Sequence, residues 1–219
     1  MKVVILAGGL GTRLSEETVV RPKPLVEIGG YPIIWHIMKI FSHYGYNQFC
    51  IALGYKGDMI KDYFLNYSKL KNNLHVNLKT DTVIYSRPEE DWYIDLIDTG
   101  IDTQTGGRLK RLDLKEPFMM TYGDGVANVN IPKLVSFHNE KGRMCTVTGV
   151  RPAARFGNIE FEGDLVTSFA EKNQTKAGWI NGGFFVVEPK VLSYIDGDDF
   201  SFEYYPMQKL VKEKQLDRK

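Results

Sequence analysis

The chain alternates between short apolar runs and stretches with helical spacing, and this rhythm limits the fold more than any other feature. Val3 to Leu6 and Phe49 to Leu53 are apolar on successive residues, so they read as strands buried on both faces. Further strands are expected at Phe118 to Tyr122 and Thr146 to Val150. Ile33 to Ser42 places Ile33, Ile34, Ile37, Met38 and Phe41 on one helical stripe, with Gly45 as the stop. Asp58 reads as the cap of a helix carrying Met59, Ile60, Tyr63 and Phe64, and Ile131 to Lys141 as a helix closed by Gly142. Strands alternating with helices predict an α/β fold, an open and mainly parallel sheet with helices on both faces. In such sheets ligands bind at the carboxyl ends of the strands, which directs attention to the loops after Leu6, Leu53 and Tyr122.

Beyond Phe156 the texture changes. Asn158 to Phe161, a turn at Glu162-Gly163-Asp164, and Leu165 to Phe169 read as a hairpin, followed by a strand at Gly183 to Val187. These strands are expected to lie over one end of the sheet, and Lys209 to Lys219 to form a charged, helix-like tail. With no repeat or linker, 219 residues suit a single domain.

Charge narrows the partners. Lys and Arg number 28 against 27 Asp and Glu, so there is no global field to draw in nucleic acid or an acidic membrane. An anionic ligand must therefore be held by a local cluster. The two cysteines, Cys50 and Cys145, sit in apolar runs and read as buried thiols, a usage that suits a reducing cytoplasm. The apolar start ends at Gly8-Gly9, too short for a signal peptide, and no run reaches membrane-spanning length.

The densest chemical signal is Leu6-Ala7-Gly8-Gly9-Leu10-Gly11-Thr12-Arg13-Leu14, followed by Arg21-Pro22-Lys23-Pro24. Glycines directly after a strand let the backbone approach a ligand, with N–H groups aimed at phosphate oxygens. Arg13 adds a forked donor, and Lys23 a point charge on a segment held extended by its flanking prolines. Asp124 follows a strand between Gly123 and Gly125. A carboxylate there suits Mg²⁺, and Asp-Gly equally suits a simple turn.

These blocks, with Gly54-Tyr55-Lys56-Gly57, Thr105-Gly106-Gly107-Arg108-Leu109-Lys110-Arg111, Thr121-Tyr122-Gly123-Asp124-Gly125 and Ile180-Asn181-Gly182-Gly183, resemble the sugar-nucleotide pyrophosphorylases. Ser15-Glu16-Glu17-Thr18 resembles the cytidylyl branch of that family. The resemblance implies a Rossmann-like nucleotidyltransferase fold, with residues 1–150 binding the nucleotide and 151–219 the acceptor. It implies a homo-oligomer that transfers CMP from CTP to a sugar 1-phosphate, with glucose 1-phosphate favoured. Transfer to a different phosphorylated acceptor and a non-catalytic nucleotide or sugar-phosphate sensor stay open.

By resemblance Arg13, Lys23 and Asp124 would be catalytic, with Asp124 holding Mg²⁺. Leu6, Ala7, Gly8, Gly9, Gly11, Thr12, Thr105, Gly106, Gly107 and Gly123 would line the nucleotide. Gly106 and Gly107 would permit close approach of a ring, and Arg108 would meet phosphate. Glu171, Lys172, Asn181 and Gly182 would hold the acceptor. Lys110 and Arg111 read as a solvated basic face. Two segments depart from the family pattern, Arg151 to Gly157 and Asn173 to Trp179, and both would line the acceptor pocket. The family's Pro-Met-Asp-Thr segment, with a second metal ligand, has no counterpart in these residues: either they are a shortened form of the chain, or Mg²⁺ would be held by Asp124 and substrate phosphates alone.

Overall fold

The first apolar run forms β1 (Lys2–Leu6), and the fold is organised around it. The computed structural model describes residues 1–11, 20–151, 158–170 and 178–219, with the backbone alone for 158–161 and 168–170. After β1 come two short strands, β2 (Glu27–Ile28) and β3 (Tyr31–Pro32), then α1 (Ile33–Ser42) and β4 (Gln48–Leu53). Helices α2 (Gly57–Leu65) and α3 (Tyr67–Lys71) lead to a hairpin of β5 (Leu74–Asn77) and β6 (Thr82–Tyr85). Next are β7 (Tyr93–Asp98), α4 (Thr105–Arg111), β8 (Phe118–Tyr122), α5 (Ile131–Lys141) and β9 (Cys145–Val150). The chain continues with the β10 (Asn158–Glu162) and β11 (Leu165–Ala170) hairpin, β12 (Ile180–Val187), α6 (Tyr205–Lys212) and β13 (Leu216–Arg218).

Seven strands form one sheet in the order β13-β9-β12-β8-β1-β4-β7. β1, β4, β7 and β8 run parallel, whereas β12 is antiparallel to both its neighbours. The mixed, mainly parallel Rossmann-like sheet is thus present. Its continuous apolar strands are explained by burial on both faces. Val3, Ile5 and Ala7 enter one core beneath α1 and α5, while Val4 and Leu6 enter a second core on the opposite face with Leu109 of α4 and Leu210 of α6.

Several elements differ from the sequence expectation. Asp58 lies in the first turn of α2, and the capping position is Lys56, in the left-handed region with φ 52°. β12 is not laid over the sheet but inserted into it, between β8 and β9, and only the β10–β11 hairpin is separate. The charged tail is helical only to Lys212. Lys214 then turns with φ 56°, and β13 adds a parallel edge strand beside β9. Cys50 and Cys145 are buried free thiols, as expected. Among the described residues no helix is long and apolar enough to cross a membrane.

Candidate active site

Where β1 and β8 end, a cleft of about 640 Å³ opens, at the location the fold class predicts. It brings together Leu6, Ala7, Gly8, Gly9, Gly11, Lys23, Thr105, Arg108, Gly123, Asp124 and Asn181. Thr12, Arg13, Glu171 and Lys172 lie outside the described residues. Gly106, Gly107 and Gly182 stand behind the lining and shape it.

The glycine loop is held from below. Ala7 N–H donates to Ala52 O (3.0 Å), and Gly123 N–H donates to Leu6 O (2.9 Å). Tyr55 N–H donates to Gly8 O at 3.1 Å. No partner for the N–H groups of Gly8 and Gly9 occurs among the described residues. A Cβ at Gly9 would meet nothing within 4 Å, so the space before this backbone is open to a ligand. Gly123 is needed for a different reason: a Cβ there would stand 2.9 Å from Pro24 and 3.1 Å from Leu6 O. Its bareness lets the β8 loop close onto the β1 loop and sets Asp124 at the cleft.

Opposite them Lys23 opens a short 3-10 turn, Lys23–Leu25. Pro22 is extended, but the segment then tightens, with Leu25 N–H donating to Pro22 O at 2.8 Å. Lys23 is therefore fixed by a turn rather than by an extended run. Its ammonium donates to Asp124 Oδ2 at 3.2 Å, and among the described residues this is the only hydrogen-bond or ion-pair partner of that half-exposed carboxylate. No group of three or more metal-ligating side chains occurs among the described residues. Mg²⁺ binds through one or two carboxylates and otherwise through water and phosphate oxygens, and a single open carboxylate beside a phosphate-sized space fits that habit.

Arg108 departs from expectation. It is only 3% exposed, and its guanidinium donates to the carbonyls of Leu53, Gly100, Gly8 and Ile101 and to Thr99 Oγ1, at 2.7 to 3.3 Å. A Cβ on Gly8 would lie 2.2 Å from this group, and one on Gly54 2.4 Å from it. Arg108 is thus the floor that ties together the loops after β1, β4 and β7, not an open phosphate clamp. Burial pulls its pKa down, and the charge of Asp98 opposes that.

Gly106 and Gly107 serve packing in the same way. A Cβ would stand 2.6 Å from Phe200 O at Gly106, and 2.6 Å from the Asp198 backbone at Gly107. Both N–H groups donate to Phe200 O. The close approach they allow is that of the 198–202 segment, not of a ring. Lys110 and Arg111 are both exposed, as a solvated basic face requires, and they also hold the chain opposite: Arg111 pairs with Asp198 at 2.5 Å, and Lys110 donates to Ile195 O at 2.5 Å.

That segment delivers a residue the sequence reading missed. Glu203 receives the hydroxyls of Tyr122 (2.6 Å), Ser201 (2.7 Å) and Thr105 (2.5 Å), and it lines the cleft. Burial, then the charge of Glu203, pushes the Tyr122 phenol far above its ordinary range. Ser201-Phe202-Glu203 alone does not mark this role, because two of the three partners, Thr105 and Tyr122, come from α4 and the end of β8. Asn181 also reaches the Tyr122 hydroxyl, and its Oδ1 accepts from Gly183 N–H at 2.8 Å. Gly182 lets β12 pass Thr148 Oγ1, 2.7 Å from where a Cβ would be.

A cleft of this volume at the carboxyl ends of parallel strands, floored by glycine backbone and flanked by a lysine and a carboxylate, defines a nucleotide-handling α/β enzyme. A family model for nucleotidyl transferases matches residues 2–212, and the chain belongs to that family. It is 45% identical to glucose-1-phosphate cytidylyltransferase of Salmonella typhi over 99% of this chain and 86% of the relative. Among solved structures it is similar to HddC of Yersinia pseudotuberculosis, with 27% identity, a TM-score of 0.66, and coverage of 93% of this chain and 83% of the other. A UDP-glucose pyrophosphorylase complexed with UDP-glucose shares the fold at 17% identity and a TM-score of 0.67, over 99% and 89% of the two chains.

Proposed function

We propose that the protein transfers CMP from CTP to a sugar 1-phosphate, glucose 1-phosphate being favoured, releasing pyrophosphate and forming a CDP-sugar. The observation that carries this is the placement of Lys23 and Asp124 across one cleft from the N–H groups of Gly8 and Gly9, which have no partner among the described residues. The 45% identity to a relative named for that reaction supports the choice of base and acceptor.

In this reading an anionic oxygen of the acceptor phosphate attacks the α-phosphorus of CTP in line. The new P–O bond forms as the bond to pyrophosphate breaks. The attacking oxygen is already ionised, so no side chain need remove a proton, and no nucleophilic residue is required. Gly8 and Gly9 donate to the triphosphate oxygens, and the Lys23 ammonium offsets charge that grows on them in the transition state. Asp124 would hold Mg²⁺ with phosphate oxygens, and the ion, when bound, supplies neutralisation of phosphate charge. Glu203 fixes the Tyr122 hydroxyl and, with Asn181, sets the acceptor end of the cleft. Arg13, Thr12, Glu171 and Lys172 join these assignments on family resemblance alone.

Two outer features extend the reading. Val76, Leu78, Val83 and Ile84 are exposed on the β5–β6 hairpin, which supports assembly with further copies of the chain. Two buried free thiols suit a reducing cytoplasm.

The test is pyrophosphate release with CTP and glucose 1-phosphate, compared with UTP, dTTP and GTP and with other phosphorylated acceptors. Release that depends on CTP and a sugar 1-phosphate is expected. Preference for another triphosphate would overturn the base, and binding without release in any combination would make the protein a sensor.

A further inference from the structure

Beside Asn181 the sheet carries a cationic feature that the reaction, as derived so far, does not use. The guanidinium carbon of Arg218 lies 3.9 Å from the centre of the Trp179 indole, and that of Arg151 lies 4.6 Å from it. Trp179 is 53% exposed, and both arginines are exposed as well. Neither arginine has a carboxylate partner among the described residues. Asp217, next in the chain to Arg218, alternates to the opposite face and stands 3.8 Å from Arg143. Two guanidiniums on one indole repel each other, and an anion between them removes that repulsion.

The register places this cluster on the cleft side of the sheet. Asn181 lies opposite Gly149 in the β9–β12 pairing, so its side chain and the missing side chain of Gly149 share a face. A Cβ on Gly149 would collide with Arg218, at 2.4 Å from Cδ and 2.6 Å from Cγ. The stem of Arg218 therefore crosses β9 over the bare glycine, and its charged end arrives at Trp179, two residues from Asn181. Arg151 stands two residues beyond Gly149, on the same face. Arg151 and Trp179 belong to the two segments expected from the sequence to depart from the family pattern, and Arg218 lies beyond residue 212, where the family model's match ends.

We propose that Arg151, Trp179 and Arg218 form an anion-receiving wall at the acceptor end of the cleft, which binds a phosphate group of the sugar phosphate. This rests on the cytidylyl-transfer reading for the identity of the acceptor. The phosphate is either the reacting one or a second one at the far end of the sugar, and the two acceptors compared below separate these.

The experiment combines kinetics with a binding measurement that needs no turnover. Wild type, Arg218→Gln and Arg151→Gln are assayed with CTP against glucose 1-phosphate and glucose 1,6-bisphosphate. Each variant is expected to raise the acceptor KM about tenfold or more, the size of a lost charge-assisted hydrogen bond, with the KM for CTP and kcat within twofold. A rise with both acceptors identifies the reacting phosphate; a rise with the bisphosphate alone identifies the second. In parallel, glucose 1-phosphate, the bisphosphate and inorganic phosphate are titrated without CTP, and the change in tryptophan fluorescence is assigned to Trp179 with Trp179→Phe. Acceptor KM values within twofold of wild type, or a fluorescence response unchanged in Arg218→Gln and Arg151→Gln, would overturn the wall. Absence of CMP transfer alongside a saturable, arginine-dependent response would overturn the cytidylyl reading and leave the wall standing.

Discussion

Around β1 the cleft is lined by backbone, whereas around β12 it is lined by long side chains. At the nucleotide end Gly8, Gly9 and Gly123 bring main-chain groups to the ligand space, and buried Arg108 fixes their height from below. At the other end Tyr122, Asn181 and Glu203 reach in from the sheet and from the 198–203 segment, and the arginine pair on Trp179 stands beside Asn181. Backbone recognition reads what every nucleoside triphosphate shares, the phosphates. Side-chain recognition can be changed one residue at a time.

The sharpest way to break this contrast is to remove the lysine charge at the nucleotide end. Lys23→Ala is expected to slow turnover by about 100-fold or more while circular dichroism stays native. Near-normal turnover would take Lys23 out of the chemistry. Next is the floor. Arg108→Met removes the guanidinium from the carbonyls of Leu53, Gly8 and Gly100, leaves that of Gly100 without a donor, and is expected to lower unfolding free energy in urea by about 3 kcal/mol. Gly8→Ala, which drives a methyl into the same guanidinium, should mimic it and raise the KM for CTP. If both variants are stable and only the acceptor KM moves, Arg108 is an acceptor residue and the assignment to the floor is wrong.

At the acceptor end, Glu203→Gln keeps the shape but offers one acceptor oxygen where three hydroxyls converge. A loss of about 1–2 kcal/mol in stability is expected, with an acceptor KM raised more than the KM for CTP. The smallest effect is in alkaline solution. Burial pushes the Cys50 thiol from 9.0 up to about 11, and burial likewise raises the phenols of Tyr63, Tyr67 and Tyr122. Below their ordinary values both states keep these protons and nothing is lost. Above them the unfolded chain ionises first, so it binds fewer protons and stability falls as pH rises through roughly 9 to 11. Urea midpoints that stay flat over that window would contradict the burial of these groups.

The parts of the fold that were legible in the sequence are those whose own residues determine them. α1 and α5 run as their apolar spacing requires, with Gly45 and Gly142 at φ 83° and 60° where each chain direction changes. β1, β4 and β8 are buried on both faces, so their apolar runs stand out. α4 was not legible as a helix. Thr105 to Arg111 holds two glycines and a single buried apolar side chain, Leu109, and it is held by the Phe200 carbonyl from elsewhere in the chain. β7 alternates Ile94 and Leu96 with acids, and its Asp95 is balanced by Lys2 at 2.7 Å. In the site, residue type and location were legible but direction was not. Arg108 is at the cleft and faces beneath it; Glu203 carries little local mark because two of its three hydroxyl partners, Tyr122 and Thr105, come from distant parts of the chain.

The insertion of β12 has a consequence for the order in which the molecule can be assembled. β8 and β9 follow each other in the chain but are not neighbours, and the gap between them stays open until residues 180–187 arrive. Until then β8 presents an apolar edge with unpaired backbone groups, the kind of template that recruits other chains. The first half of the sheet can pair early through β1 and β4. A nascent chain that has emerged through β9 therefore carries a nearly complete phosphate loop beside an adhesive edge, and the strand that completes the acceptor pocket is also the strand that shields the chain from its copies.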